Sequence, residues 1–187
     1  MTISIDCFKA YDIRGRIPDQ LNADIAYRIG NATAAFLGAK RVVIGRDMRL
    51  SSAELTDAVA QGLADAGVDV LDIGLCGTEM VYFATAHLQA DGGIMVTASH
   101  NPADYYGLIL VREDAKPISG DTGLTDIRKL AEQDDRLAGA ETGQRIETDI
   151  LADYTRHIIS CVDSEKLSPL KLVVNAGNGV AGLAIDA

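Results

Sequence analysis

The chain has 187 residues, of which 48% are hydrophobic, as in a globular protein rather than a disordered one. Its net charge of −10 argues against nucleic acid and anionic membranes as partners, because both attract basic surfaces. No apolar run approaches the roughly 20 residues that cross a bilayer, and no secretory segment is recognisable at the N-terminus, so we expect a cytoplasmic protein. The three cysteines lie far apart in the sequence, so we expect free thiols.

The first motif in chain order is the polar segment FKAYDIRG at residues 8–15. It carries the cations Lys9 and Arg14 and the phenol of Tyr11. Arginine suits phosphate because its planar guanidinium can donate to two oxygens at once. The alternative is an ordinary surface arginine before a glycine turn.

Apolar runs then alternate with segments of helical periodicity. Strands are predicted over 42–44, 68–74, 94–96 and 108–111. Helices are predicted over 22–38, with Asn22 as the cap, and over 124–133. Two more helices are predicted between these: one runs from a cap at Ser51 or Ser52 to Gly67, and the other begins at a cap at Thr78. This order predicts an α/β protein with three layers, in which helices cover both faces of a mixed, mainly parallel sheet.

Two arginines follow the strand over 42–44, in the segment GRDMRLSS. Arg46 and Arg49 are candidates to support a phosphate at the carboxyl end of this strand, where open α/β sheets place their ligands. The alternative is that both form loop salt bridges with Asp47.

The strand over 94–96 ends abruptly in the segment TASHNP. Pro102 cannot continue a sheet ladder, so Ser99 is predicted to lie on a loop at the carboxyl end of that strand, as a hydroxyl for phosphoryl transfer. A plain polar turn is the alternative. Adjacent side chains of an extended segment point apart, so a hydrolase-like pair of Ser99 and His100 is not expected.

The last part of the chain is predicted to contain a linker over 134–146, a helix over 147–161 and a strand over 170–174. The glycines of NAGNGVAG (175–182) that follow formally match G-x-G-x-x-G, so a dinucleotide-binding fragment is an alternative.

Several of these segments, together with GTEMVYFAT, GIMVTASHNP and PISGDTGL, resemble the α-D-phosphohexomutases, which include phosphomannomutase and phosphoglucomutase. The bacterial phosphomannomutase branch is the most similar. The resemblance implies that residues 1–146 form the domain of the active-site serine. It further implies that residues 147–187 are a connecting helix and the first strand and turn of a truncated second domain.

The resemblance implies an isomerase that interconverts hexose 1-phosphates and hexose 6-phosphates through a phosphoserine and a bisphosphorylated sugar. Ser99 and His100 would be catalytic, and Mg²⁺ would bind Ser99 through its phosphate. The remaining implied site residues are Tyr11 and Arg14, facing the sugar phosphate, and Lys9, Arg46, Arg49 and Asn101, supporting the phosphate cleft.

The chain departs from the family pattern in two places: Tyr106 and Ile109 stand where Asn and Lys are usual. The family's magnesium loop and sugar-selecting loops lie in later domains, so we expect this chain alone not to complete the reaction. It would meet the missing domains elsewhere or self-associate. The alternative is a non-catalytic paralogue that binds sugar phosphates or a partner.

Overall fold

Strands and helices alternate along most of the computed structural model, which describes residues 3–133, 136–177 and 179–187. The strands of these residues are β1 (Ile13–Arg16), β2 (Arg41–Arg46), β3 (Asp69–Leu75), β4 (Gly92–Val96), β5 (Tyr105–Arg112), β6 (Lys116–Pro117) and β7 (Arg145–Glu147). The helices are α1 (Ala23–Leu37), α2 (Ser52–Asp65), α3 (Thr78–His87), α4 (Thr125–Glu132), α5 (Leu151–Ser160) and α6 (Ala181–Ile185).

The strands form one mixed sheet in the order β1-β5-β4-β2-β3-β7, with β6 added beside β5. Strands β4, β2, β3 and β7 run parallel to their neighbours in this series. Strand β5 is antiparallel to β4, β1 and β6. The carboxyl ends of β2, β3 and β4 therefore meet at one edge of the sheet.

Helices cover both faces of the sheet. Side chains of successive strand residues point to opposite faces, and here both faces carry apolar side chains that pack against helices. In β2, Val42 and Ile44 join the apolar cluster that contains residues of α1, α2 and α4. Val43 joins a second cluster with residues of α3 and α5. The predicted three-layer α/β/α fold is confirmed.

The helix caps agree with the prediction only in part. Asn22 caps α1, since its side chain accepts a hydrogen bond from the Ile25 N–H, and Gly38 ends this helix in the left-handed region at φ 57°. Ser51 precedes α2 without a capping hydrogen bond. Gly77, not Thr78, occupies the N-cap of α3, which begins one residue earlier than the prediction allowed.

The predicted linker over 134–146 contains part of a strand. Within its described residues, Arg145 opens β7, which pairs with β3, and α5 begins at Leu151 rather than at residue 147. The sequence signal was weak because this strand is three residues long and exposed throughout. The division into domains at residue 146 stays a prediction.

The predicted strand over 170–174 is not formed. Leu170 and Val173 are 77% and 100% exposed, and no described strand pairs with this segment, although a strand requires a ladder partner. The dinucleotide alternative needs a strand before its glycines and is therefore not supported. Asn178, which lies between those glycines, is outside the described residues.

Over the described residues, the longest and most apolar helices fall short of what is needed to cross a lipid bilayer.

Helices α1 and α2 pack closely because each presents a glycine to the backbone of the other. A Cβ atom at Gly30 would collide with the Val59 carbonyl oxygen, and one at Gly62 would collide with the Tyr27 carbonyl oxygen and lie 3.0 Å from the Asn31 nitrogen. Backbone atoms cannot move aside as a flexible side chain can, so these two positions fix the distance between the helices.

We expect Gly62→Ala to lower the free energy of unfolding by about 1–3 kcal/mol, the usual cost of overpacking. Gly182→Ala is the matched control, because a Cβ atom there meets open space. Urea unfolding followed by circular dichroism measures both. Equal stability of the two variants would contradict the proposed glycine contact.

Candidate active site

The candidate site is built on the loop that follows β4, where Ser99 has φ 54°. This left-handed conformation is uncommon for residues other than glycine. It turns the exposed Ser99 side chain toward its neighbour, and the Ser99 Oγ lies 3.0 Å from His100 Nδ1. The expectation that these two side chains point apart is wrong, because it assumed an extended backbone.

Asp47, which directly follows β2, holds this loop through hydrogen bonds to its carboxylate. Its carboxylate accepts hydrogen bonds from five groups: the Ser52 hydroxyl (2.5 Å), the Tyr106 phenol (2.7 Å), the Arg49 N–H (3.1 Å), the Thr97 hydroxyl (2.8 Å) and the Ala98 N–H (3.3 Å). Thr97 connects Asp47 to Ser99, since the Thr97 Oγ1 also accepts a 2.9 Å hydrogen bond from the Ser99 N–H.

Asp47 stays ionised in this environment. Burial by itself would raise the pKa of Asp47, but the hydrogen bonds from Ser52, Tyr106 and other donors outweigh burial and hold that pKa below the usual range. Burial, followed by the hydrogen bond to Asp47, raises the pKa of Tyr106. A carboxylate and a neutral phenol therefore face each other beneath the loop.

Arg49 clamps the same loop from the side. Its guanidinium donates to the carbonyl oxygens of Ser99 (3.1 Å), Asn101 (2.5 Å) and Pro102 (2.9 Å). Its Nε lies 3.9 Å from the Asp47 carboxylate, which matches the salt-bridge alternative for this arginine. Arg49 thus fixes loop backbone.

A cleft of about 610 Å³ opens beside Ser99. Its walls come from the segments that follow three parallel strands: residues 47–50 after β2, residues 76–78 after β3, and Thr97 and Ser99 after β4, with Gly179 and Val180 added from the last part of the chain. Of the predicted site residues, Ser99 and Arg49 line this cleft.

Arg14 lies two strands away from the serine loop, which is the segment 97–102 that follows β4. It stands opposite Gly107 in the β1–β5 ladder, and the Gly107 carbonyl accepts from the Thr97 N–H at 3.0 Å. Two strand spacings place Arg14 about 10 Å from Thr97. Its Nη2 contacts Asp12 at 2.6 Å, and its Nε is buried without a hydrogen-bond partner among the described residues.

The other predicted residues have separate positions. Tyr11 is 81% exposed, and the Lys9 ammonium donates to the Asp6 carbonyl oxygen at 2.9 Å. Arg46 ends β2 opposite Val96 of β4. The Asn101 amide donates to the Ala98 carbonyl oxygen at 2.8 Å, within the serine loop.

Sequence reasoning missed the network beneath the loop. Tyr106 was noted only as a departure from the family pattern, and Ser52 only as a possible helix cap. An acidic residue directly after a buried strand, as in GRD at 45–47, was the available signal. Ile109 pairs with Met95 in the β4–β5 ladder. Its apolar side chain packs against the cluster under α3, where a lysine would place a charge.

Comparison with known proteins assigns the chain to a family. The family description "Phosphoglucomutase/phosphomannomutase, alpha/beta/alpha domain I" matches residues 6–138. The chain therefore belongs to the phosphoglucomutase/phosphomannomutase family, and the resemblance noted in the sequence is confirmed.

Individual relatives agree with this assignment. The chain is 55% identical over 185 residues to a phosphomannomutase of Escherichia coli K12, with 98% of this chain and 41% of that protein covered. It is 57% identical over 185 residues to a protein named phosphohexose mutases from Xanthomonas campestris pv. campestris B100, with the same coverage. A solved phosphoglucomutase/phosphomannomutase family protein from Burkholderia thailandensis superposes with a TM-score of 0.87 at 39% identity, with 98% of this chain and 41% of that one covered.

We expect Asp47→Asn to lower the free energy of unfolding by about 2–3 kcal/mol at neutral pH, because hydrogen bonds to a charged group are lost. A carboxyl whose pKa is depressed by folding stabilises the protein above its unfolded pKa of about 3.9, and this contribution disappears as the pH falls through the folded value. The stability difference between the wild type and the variant should therefore shrink below about pH 4.

Urea unfolding at several pH values measures this difference. Asp126→Asn is the control, since Asp126 is an exposed partner of Lys129 and its removal should change little. A difference for Asp47→Asn that stays constant into the acid range would contradict an ionised Asp47.

Proposed function

We propose that this chain supplies the phosphoryl-carrying serine of a phosphohexomutase, an isomerase that interconverts hexose 1-phosphates and hexose 6-phosphates. The supporting observation is the exposed Ser99 hydroxyl, which lies beside a cleft with His100 Nδ1 at 3.0 Å. The names of the relatives support the substrate class. The chain spans 41% of the length of these relatives, so the activity of the whole protein is part of the proposal.

The proposed transfer uses a bisphosphorylated hexose as the phosphoryl donor. Ser99 Oγ forms a bond to phosphorus, and the bond from phosphorus to the sugar oxygen breaks. His100 Nδ1 accepts the proton of the Ser99 hydroxyl and returns it to solvent, and the released sugar oxygen takes up one proton from solvent. Positioning and charge stabilisation supply most of the catalysis in such transfers.

Local cations, rather than the overall charge of −10, would attract the sugar phosphate. Arg14 is proposed to contact it, together with the exposed phenol of Tyr11, because the side chain of Arg14 is one-third exposed and its Nε has no partner among the described residues. Lys9 and Arg46 are proposed as further phosphate support. Arg49 and Asn101 are proposed to act by holding the serine loop.

Magnesium is predicted from the family resemblance, but the described residues do not fit a magnesium site of their own. Residues 3–133, 136–177 and 179–187 contain no group of three or more His, Cys, Asp or Glu side chains that could hold a metal ion. Asp47, the carboxylate beneath the loop, already accepts five hydrogen bonds. The proposal for Mg²⁺ is therefore limited to a contact with the phosphate on Ser99.

A second candidate function is a non-catalytic domain that binds sugar phosphates or a partner protein. The observation that favours it is the uncharged Ile109, which packs beneath α3, where the family usually has a lysine. The two candidates differ in whether Ser99 becomes phosphorylated.

We also propose a cytoplasmic location. Cys7, Cys76 and Cys161 are all free thiols in the structure, and the first two are buried. Unpaired cysteines are typical of reducing compartments.

We expect the chain, incubated with glucose 1,6-bisphosphate and magnesium, to gain one phosphoryl group at Ser99, as measured by intact mass and peptide mapping. Ser99→Ala should gain none. His100→Ala should react about 10²-fold or more slowly, because loss of a proton acceptor typically has an effect of this size.

Ser160→Ala is the matched control, because the hydroxyl of this exposed serine of α5 donates to the His157 carbonyl oxygen within its own helix. It should react like the wild type. A wild-type chain that stays unmodified would overturn the phosphoryl-carrying role and favour the non-catalytic alternative. Net isomerisation by this chain alone is not expected in a coupled assay.

A further inference from the structure

Tyr106 is a fully buried side chain of β5 with a polar end. A buried phenol is costly unless its hydroxyl finds a partner. Here the hydroxyl donates to Asp47 Oδ1 at 2.7 Å and also contacts the Ser52 hydroxyl. Tyr106 does not line the cleft beside Ser99, so it cannot act by touching substrate there.

The two oxygens of Asp47 serve different parts of the fold. Oδ1 accepts from Tyr106, from Ser52 at the start of α2, and from the Arg49 N–H. Oδ2 accepts from the Thr97 hydroxyl and the Ala98 N–H, which belong to the serine loop. The donors on Oδ1 therefore set the rotation of the carboxylate, and this rotation sets where Oδ2 holds the loop.

A short chain of contacts leads from Tyr106 to the reacting atom. Asp47 holds the Thr97 hydroxyl at 2.8 Å, and that hydroxyl accepts from the Ser99 N–H at 2.9 Å. Ser99 is held at its N–H by Thr97 and at its carbonyl oxygen by Arg49, and these two contacts together restrain its backbone at φ 54°. The same backbone conformation brings Ser99 Oγ to His100 Nδ1.

We propose that Tyr106 is a positioning residue for the phosphoryl-carrying serine, acting through Asp47 and Thr97. This inference rests on the proposed function for its kinetic consequence, but its structural consequence can be measured independently.

The first test is amide hydrogen exchange, measured by NMR on the full chain. Tyr106→Phe keeps the ring and removes the hydroxyl. We expect faster exchange of the Ala98 and Ser99 amides, which donate to Asp47 and to Thr97. Ser52→Ala removes the other hydroxyl on Oδ1 and should act in the same direction, so the test does not depend on the folding of one variant.

Tyr27→Phe is the matched control. Tyr27 also donates from its phenol to a carboxylate, that of Asp65, at 2.8 Å, but it lies in α1 and does not contact the serine loop. Tyr27→Phe should leave exchange of the Ala98 and Ser99 amides unchanged. Unchanged exchange in both Tyr106→Phe and Ser52→Ala, or equal acceleration in Tyr27→Phe, would overturn the inference.

The second test is the rate of Ser99 phosphorylation by glucose 1,6-bisphosphate. We expect the maximal rate of Tyr106→Phe to fall about 10-fold, since a hydrogen bond to a charged group is removed, while the half-saturating donor concentration stays unchanged. A wild-type rate in Tyr106→Phe would overturn the kinetic role. Absence of phosphorylation in the wild type would overturn the proposed function instead, and the exchange result would still decide the positioning role.

Discussion

The carboxylate of Asp47, whose side chain is only 17% exposed, is the constraint on which the candidate site depends. A charge removed from water is stable in a protein only when hydrogen bonds compensate for the lost hydration. Asp47 accepts from one donor of α2, one of β5, two of the loop after β4, and the Arg49 N–H of its own loop after β2. Because all of them must converge on one group, the ends of three elements are fixed relative to each other.

This convergence explains how the serine loop keeps an unfavourable backbone. A non-glycine residue in the left-handed region costs of order 1 kcal/mol and persists when its surroundings over-determine it. Ser99 is held at its N–H by Thr97 and at its carbonyl oxygen by Arg49. The outcome is an exposed hydroxyl with an imidazole nitrogen beside it, at the sheet edge where α/β folds commonly bind ligands.

The sequence was sufficient for the features that depend on local pattern. The apolar run before TASHNP and the proline after it placed Ser99 at the end of a strand, and Asn22 with Gly38 bounded α1 to within a residue. The contact between Ser99 and His100 could not be predicted from the sequence, because it depends on the φ angle of Ser99, which tertiary hydrogen bonds impose.

Other features were missed for related reasons. Strand β7 is too short and too exposed to give a periodic signal, and its pairing with β3 decides its conformation. The segment over 170–174 has the composition of a strand, yet it finds no ladder partner among the described residues. The role of Tyr106 could not be read from the sequence, since nothing local indicates that its phenol meets Asp47.

The most direct measurement of the central claim is the rate of Ser99 phosphorylation in Asp47→Asn, taken well below the melting temperature of the variant. If the carboxylate holds the loop in its reactive conformation, the variant should react at least about 10-fold more slowly than the wild type, while Asp126→Asn reacts normally. A folded Asp47→Asn protein that carries phosphate on Ser99 at the wild-type rate would contradict the account.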